Sequence, residues 1–243
     1  MIVIPMAGLS SRFTKAGYTE PKYMLPLWGG TVFDHSVSSF KADFEEETFL
    51  FIATQRPGIE AFVESRLKVL GVRNWSLELL EETTRGQAET VMVGVERSAC
   101  PPESAITIFN IDTFGHARFQ PKQSKWARSS GVLQVFRGSG DNWSFVAPSA
   151  EEDGRAIQTA EKQPISDLCC TGLYHFAKFS DYRRAFCLEL KAPQAPELYV
   201  APMYNHLIAD GQAIHYDLIA EDDVVFCGVP AEYEAHLNRK PEE

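Results

Sequence analysis

The stretch Ile2-Val3-Ile4-Pro5-Met6-Ala7-Gly8-Leu9-Ser10-Ser11-Arg12-Phe13 opens with a β-branched run and empties into small and hydroxyl-bearing residues. That order reads as a buried strand followed by a tight loop. Small side chains let backbone N–H groups come close to phosphate oxygens, and the hydroxyls of Ser10 and Ser11 add donors. Arg12 brings a planar fork of donors suited to a polyphosphate, and Pro21-Lys22 supplies a second fixed cation. Neither GxxxxGK[ST] nor GxGxxG is present. The phosphate reading therefore rests on strand, arginine and Pro-Lys together, with a purely structural turn as the alternative.

Working outward, Phe33, Val37, Phe40 and Phe44 recur at helical spacing. So do Ile59, Phe62, Val63, Leu67 and Leu70, and then Ala88, Val91, Met92 and Val95. Between them Phe49 to Ala53, Trp75 to Leu80 and Ala105 to Phe109 read as strands. Apolar strands separated by helices argue for a parallel sheet covered on both faces, where ligands bind beyond the carboxyl ends of the strands. The loops after the first and fourth strands, holding Gly8 to Arg12 and Asp112, are thus expected to carry function. From Gly131 the pattern changes to strands: Gly131 to Phe136, Trp143 to Ala147, Ala156 to Ala160 and Leu168 to Phe176. Helices near Tyr182 to Leu190 and Pro202 to Ala209, a strand Ile214 to Leu218 and a helix Pro230 to Leu237 follow.

The 243 residues carry a formal net charge of −10. Such a surface repels nucleic acid and anionic membranes, so neither is expected as a partner, and an anionic substrate must meet a local concentration of basic residues. No apolar run approaches the ~20 residues of a bilayer span, and the opening lacks the basic and apolar regions of a secretory signal. A cytoplasmic protein is expected. The five cysteines, Cys100, Cys169, Cys170, Cys187 and Cys227, form no CxxC pair. Neither a disulfide framework nor zinc is supported. His116, His175 and His206 lack metal spacing and read as solvated or packed. Trp126 and Trp143 read as packing or surface aromatics, Lys122, Lys125 and Arg128 as a solvated helix face, and Arg239-Lys240-Pro241 as a disordered tail.

Ala7-Gly8, Arg12-Phe13 and Pro21-Lys22-Tyr23-Met24-Leu25-Pro26-Leu27, with Gly29-Gly30, resemble the opening of the sugar-phosphate nucleotidyltransferases, close to AGGxGTRL and PKxLLPVxGKP. Ser10 stands where a second glycine is usual, which tightens the loop's allowed conformations. Gly86-Gln87-Ala88 is similar to the family segment that contacts the nucleobase. Phe109-Asn110-Ile111-Asp112 resembles its strand-ending, magnesium-binding Asp. Glu161-Lys162, then Ile165-Ser166-Asp167 and Thr171-Gly172-Leu173-Tyr174-His175-Phe176, resemble EKP…SN…TGLYFY. There the Glu and Gly contact a sugar and the Lys its phosphate. Glu197, ahead of Asn205, matches a further acidic contact. The resemblance spans Met1 to Leu237.

It implies an α/β fold of the nucleotide-diphospho-sugar transferase type (GT-A-like): a mostly parallel, Rossmann-like central sheet flanked by helices, with a substrate-binding β-rich insertion. A single domain over 1–243 is expected, its nucleotide-binding half in 1–115 and its acceptor-binding half in 116–243. The implied reaction is magnesium-dependent: a phosphorylated small molecule, such as a sugar phosphate, attacks an NTP and pyrophosphate leaves, in nucleotide-sugar supply for a capsule or surface polysaccharide. Ala7, Gly8, Leu9, Ser10, Ser11, Gly86, Gln87 and Ala88 are expected on the nucleotide. Glu161, Lys162, Thr171, Gly172 and Glu197 are expected on the acceptor. In such a transfer positioning and charge neutralisation dominate, which suits Arg12 and Lys22 as catalytic cations and Asp112 as a Mg²⁺ ligand.

At the turn Phe226-Cys227-Gly228-Val229-Pro230, where the family often carries a second metal-binding Asp, there is no carboxylate. Asp222 or Asp223 is the alternative, or a water. Glu81 precedes Gly86 where relatives read the base; a carboxylate only accepts hydrogen bonds. It favours the N4–H₂ of cytosine, hence CTP before UTP or dTTP, unless Glu81 is simply solvated. A glycosyltransferase would need a DxD motif, which Ile111-Asp112-Thr113 does not provide. A non-catalytic nucleotide-binding homologue and a homo-oligomer both stay open.

Overall fold

The computed structural model describes residues 1–115 and 126–237. His116, Lys122, Lys125 and the tail Arg239-Lys240-Pro241 lie outside the described residues. In chain order the elements are β1 (Ile2–Met6), α1 (Ser11–Lys15), β2 (Pro26–Leu27), β3 (Gly30–Thr31), α2 (Val32–Ser38), β4 (Phe49–Thr54), α3 (Ile59–Leu70) and β5 (Trp75–Leu80). Then come α4 (Gln87–Arg97), β6 (Ile106–Phe109), β7 (Thr113–Gly115), β8 (Gly131–Arg137), β9 (Ser144–Pro148), β10 (Ala156–Glu161) and β11 (Leu168–Phe176). The chain continues through α5 (Phe179–Lys191), α6 (Tyr204–Ala209), β12 (Ile214–Leu218), β13 (Val224–Phe226) and α7 (Pro230–Leu237).

One nine-stranded sheet runs β10-β9-β11-β6-β1-β4-β5, with β8 pairing β11 and β12 pairing β8. The strands β6, β1, β4 and β5 are parallel. Beyond β6 the pairing changes: β11 runs antiparallel to β6, β8 and β9. The mostly parallel sheet is therefore a mixed one, parallel in its first half. A short turn joins β9 to β10, and short turns permit only antiparallel partners.

Alternation along each strand feeds two cores. On β1, Val3 packs with α4 residues Val91 and Val95 on one face. Ile2, Ile4 and Met6 pack with Phe33 and Val37 of α2 and Val63 of α3 on the other. This two-sided burial is why the strands read as unbroken apolar runs. The helical face expected through Phe44 stops at Ser38; Lys41–Asp43 tightens into a 3₁₀ turn, and Phe40 and Phe44 still reach the core. A capping box starts α2: the Asp34 amide donates to Thr31 Oγ1 at 3.3 Å and the Thr31 amide to Asp34 Oδ2 at 2.6 Å. Arg66 of α3 forks onto the same carboxylate at 2.8 and 2.7 Å, tying the two helices together.

The segment between α5 and α6 is fixed by a buried carboxylate. Glu189, 1% exposed, accepts from the Gln194 amide at 2.7 Å and its side-chain nitrogen at 2.6 Å, with His206 Nε2 at 2.7 Å. From there residues 195–200 return across the sheet's end. Among the described residues no helix is long and apolar enough to cross a membrane.

His175 of β11 faces β6, its Nδ1 2.9 Å from Thr107 Oγ1. Burial chiefly, and then the N-terminal ammonium, push its pKa from 6.5 down to about 4, with Glu47 opposing. The ring therefore stays neutral in the folded protein while it charges in the unfolded chain. Its contribution is full above the unfolded value and is lost as pH falls to the folded one. Folding stability is expected to drop by about 3 kcal/mol across that window from this group. Urea unfolding at several pH values should show a flatter profile for His175→Gln than for the unaltered protein.

Candidate active site

The chain leaves β1, adds β4 and β5 on one side, then crosses to lay β6 on the other. At such a reversal the loops after the two central strands diverge and leave a crevice. Here that crevice is a cleft of about 1070 Å³ lined by the loop after β1, the segment after β6 and parts of β9, β10 and β11. The two loops singled out from the sequence are the ones that meet there.

On the β1 side, Ala7, Gly8, Leu9, Ser10, Ser11 and Arg12 all line the cleft. The chain turns at Ser10, whose φ of 50° is left-handed, the conformation in which a glycine costs nothing and an L-residue is strained. Its hydroxyl accepts a long bond from the Lys22 amide, 3.4 Å, which ties this loop to the Pro21-Lys22 segment. Lys22 Nζ is ion-paired with Asp112 Oδ2, and both line the cleft. The Arg12 guanidinium is solvent-exposed and forms no ion pair among the described residues, so its donors are open to a ligand.

Gly86 and Gln87 line the cleft at the start of α4, and the Gln87 side chain donates to Asn110 Oδ1 at 2.5 Å. Ala88 does not line it: the residue is buried, its amide donating to Leu198 O at 2.8 Å and its carbonyl accepting from Tyr182 at 2.7 Å. Glu81 also lies outside the lining, exposed after β5, the sheet's edge strand; Thr83, Thr84 and Arg85 stand at this end instead. The residue that favoured cytosine is thus not in the cleft.

Asp222 and Asp223 sit exposed in a 3₁₀ turn before β13, outside the cleft. The carboxylate that does accompany Asp112 is Glu232, from the first turn of α7. A Cβ on Gly228 would lie 3.2 Å from Asp112 Oδ2 and 3.6 Å from Glu232 Oε2, so this glycine leaves bare backbone between two carboxylates. The amides of Gly228 and Val229 hold Glu232 Oε2 at 2.8 and 3.2 Å, and the Cys227 amide donates to Asp112 O at 2.8 Å. Burial, with both carboxylates adding, pushes the Cys227 thiol up to about 12, which removes it as a nucleophile. Two carboxylates suit a hard divalent cation that keeps most of its remaining positions for phosphate oxygens and water. Among the described residues no cluster of three or more potential protein ligands exists.

Across the cleft stand Glu161, Thr171, Gly172 and Glu197. Glu161 ends β10 and is hydrogen-bonded by Ser144 Oγ. Burial raises its pKa above 4.5, with Glu197 adding, while Ser144 and Lys162 oppose. Lys162 is not part of the lining; its ammonium rests on Tyr199. Sequence reasoning missed Asn110, Tyr174, Tyr199, Phe226 and Glu232, and assigned Trp143 to packing. Trp143 does pack, on Phe136 and Phe226 with ring centroids 5.2 and 4.7 Å away, and together with Phe226 it also lines the cleft. Phe226 reaches it because β13 pairs with β7, the strand that follows Asp112.

No protein-family model and no curated protein sequence matches the chain. Among solved structures it is similar to the nucleoside-diphosphate-sugar pyrophosphorylase from Vibrio cholerae RC9, with 48% identity, a TM-score of 0.92 and coverage of 98% of this chain and 100% of that one. The inositol-1-phosphate CTP transferase from T. maritima matches at 13% identity and a TM-score of 0.73, over 98% of this chain and 96% of that one. A UDP-glucose pyrophosphorylase complexed with UDP-glucose matches at 14% and 0.75, with the same two coverages. At those identities the last two speak for the fold alone.

Besides the β6–β11 pairing, the two sides touch at Gly86. The Leu198 amide donates to Arg85 O at 3.0 Å, and a Cβ on Gly86 would stand 2.5 Å from Leu198 O and 2.7 Å from its nitrogen. Neither contact is with a movable side chain. Gly86→Ala is expected to destabilise the protein by about 2 kcal/mol or more, read as a lowered urea midpoint at unchanged m-value.

Proposed function

Because the chain belongs to the family of nucleoside-diphosphate-sugar pyrophosphorylases and sugar-phosphate nucleotidyltransferases, we propose that it couples an NTP to a phosphorylated small molecule, a sugar phosphate foremost, and releases pyrophosphate. The observation that carries this reading is the meeting of the Ala7–Arg12 loop, Lys22 and Asp112 at one end of a cleft whose other end presents Glu161 and Glu197.

In this reading the loop amides and the Arg12 guanidinium hold the triphosphate, and Lys22 leaves Asp112 to meet the charge that builds on departing pyrophosphate. Asp112, with Glu232, would hold a magnesium ion, which when bound neutralises phosphate charge. Gln87 and Thr84 face the nucleoside end, Glu161 and Glu197 accept from acceptor hydroxyls, and Lys162, outside the lining but resting on the cleft residue Tyr199, reaches in to the acceptor phosphate as the resemblance implies. That phosphate is already ionised near pH 7, its second pKa being about 6, so no general base is needed. Its oxygen attacks the α-phosphorus in line, and the bond to the pyrophosphate bridge breaks. With Glu81 outside the cleft, CTP, UTP and dTTP enter on equal terms. A cytoplasmic setting, where NTPs are plentiful, belongs to the proposal, and supply of a capsule or surface polysaccharide accompanies it on the resemblance alone.

A panel of NTPs and phosphorylated metabolites with Mg²⁺, followed by pyrophosphate release, tests it. Turnover is expected with one pyrimidine nucleotide and a sugar phosphate, falling at least about a hundredfold in Asp112→Ala. Nucleoside diphosphate released from a nucleotide sugar offered in place of the NTP, with no pyrophosphate from any NTP, would reassign the chain to glycosyl transfer; nucleotide binding without turnover would make it a non-catalytic homologue. The raised pKa of Glu161 adds a pH signature, because an ionised carboxylate accepts hydroxyl hydrogen bonds more strongly than the neutral acid does. For the productive acceptor, kcat/KM should fall on acidification from above the ordinary Glu value of 4.5. Glu161→Gln should flatten that limb.

A further inference from the structure

We propose that Tyr199 is a positioning residue that sets the acceptor-side cation Lys162, and that its own place is dictated by the nucleotide turn at Gly86; this rests on the assignment of Lys162 to the acceptor phosphate. Lys162 follows β10 with a left-handed φ of 54°, an unfavourable state for an L-residue that the surroundings must support. Its amide donates to Trp143 O at 2.8 Å, and its ammonium donates to the Tyr199 hydroxyl at 2.6 Å. The same ammonium lies 4.8 Å from the Tyr199 ring centroid, within the range of a cation–π contact.

An exposed lysine head is a flexible, strongly hydrated point charge. Left to itself beside Glu161 and Glu197 it would pair with a carboxylate, and the charge that a phosphate needs would be cancelled. A phenol holds the ammonium through one neutral oxygen, fixing its place while leaving its full charge. Consistently, the Lys162 pKa is raised, Tyr199 being the first cause.

Tyr199 is in turn placed by backbone. The preceding Leu198 donates to Arg85 O at 3.0 Å and accepts from the Ala88 amide at 2.8 Å, bracketing Gly86, whose missing side chain lets the strap lie against it. The nucleotide turn, the strap and the acceptor cation therefore form one connected unit.

Binding of glucose 1-phosphate and of inorganic phosphate, by calorimetry, is compared for the unaltered protein, Tyr199→Phe, Lys162→Met and the double variant, with UTP and CTP binding as controls. Tyr199→Phe keeps the ring and removes the oxygen; it should weaken both phosphate probes about five- to tenfold. UTP and CTP affinities and the melting temperature should not change. In the Lys162→Met background the same substitution should have no further effect, the sign that Tyr199 acts through the lysine. Additive losses in the double variant, or a shift in nucleotide affinity instead, overturn the proposal while leaving Lys162 as a phosphate contact. Unchanged phosphate binding in Lys162→Met, or no saturable phosphate binding by the unaltered protein, overturns the proposal together with the assignment of Lys162.

Discussion

The molecule depends on β6 having two unlike neighbours. On one side it pairs in parallel with β1, on the other antiparallel with β11, and its residues are fully buried. A parallel half grows by crossover helices and an antiparallel half by short turns, so one strand must serve both patterns. At β6 the backbone runs out at the seam: the Asn110 amide finds Gly172 O at 3.2 Å, and two residues later Asp112 emerges into the cleft. Everything chemical is arranged around that exit.

The electrostatics follow from the same place. An acidic protein must gather cations where a polyanion binds, and it does so sparingly, with Arg12, Lys22 and Arg85 against Asp112, Glu161, Glu197 and Glu232. Arg85 is held by Glu89, and Lys22 by Asp112. Of these three cations, Arg12 alone stands exposed without an ion-pair partner among the described residues. The resting cleft is thus nearly self-neutralised, and a polyanionic ligand gains by exchanging internal pairs for its own.

Much of this was legible in the sequence, for identifiable reasons. Strands buried on both faces leave unbroken apolar runs, and loops that meet at a strand reversal sit at fixed places along the chain, which is why Gly8 to Arg12 and Asp112 could be placed together at the cleft, while Lys22 stood out by its Pro-Lys pair. What stayed hidden came from pairing between distant segments. Glu232 joins Asp112 only because β13 zips onto β7 and turns α7 inward; near-neighbours Asp222 and Asp223 are left outside. Glu81 stays outside the lining for the converse reason: it directly follows β5, an edge strand, and the chain joins the cleft only from Thr83. Trp143 reads as ordinary packing until Phe226, far along the chain, arrives beside it.

The strap at Leu198 has a consequence for substrate range. It is fastened to the nucleotide turn by amides and carbonyls alone, so the fastening is indifferent to the side chains on either side of it. Positions 197 and 199 are therefore free to be exchanged, in evolution or by design, without loosening the joint that aligns the two halves. The proposed choice of acceptor and the alignment of the two halves thus fall to separate groups on the same short stretch of chain.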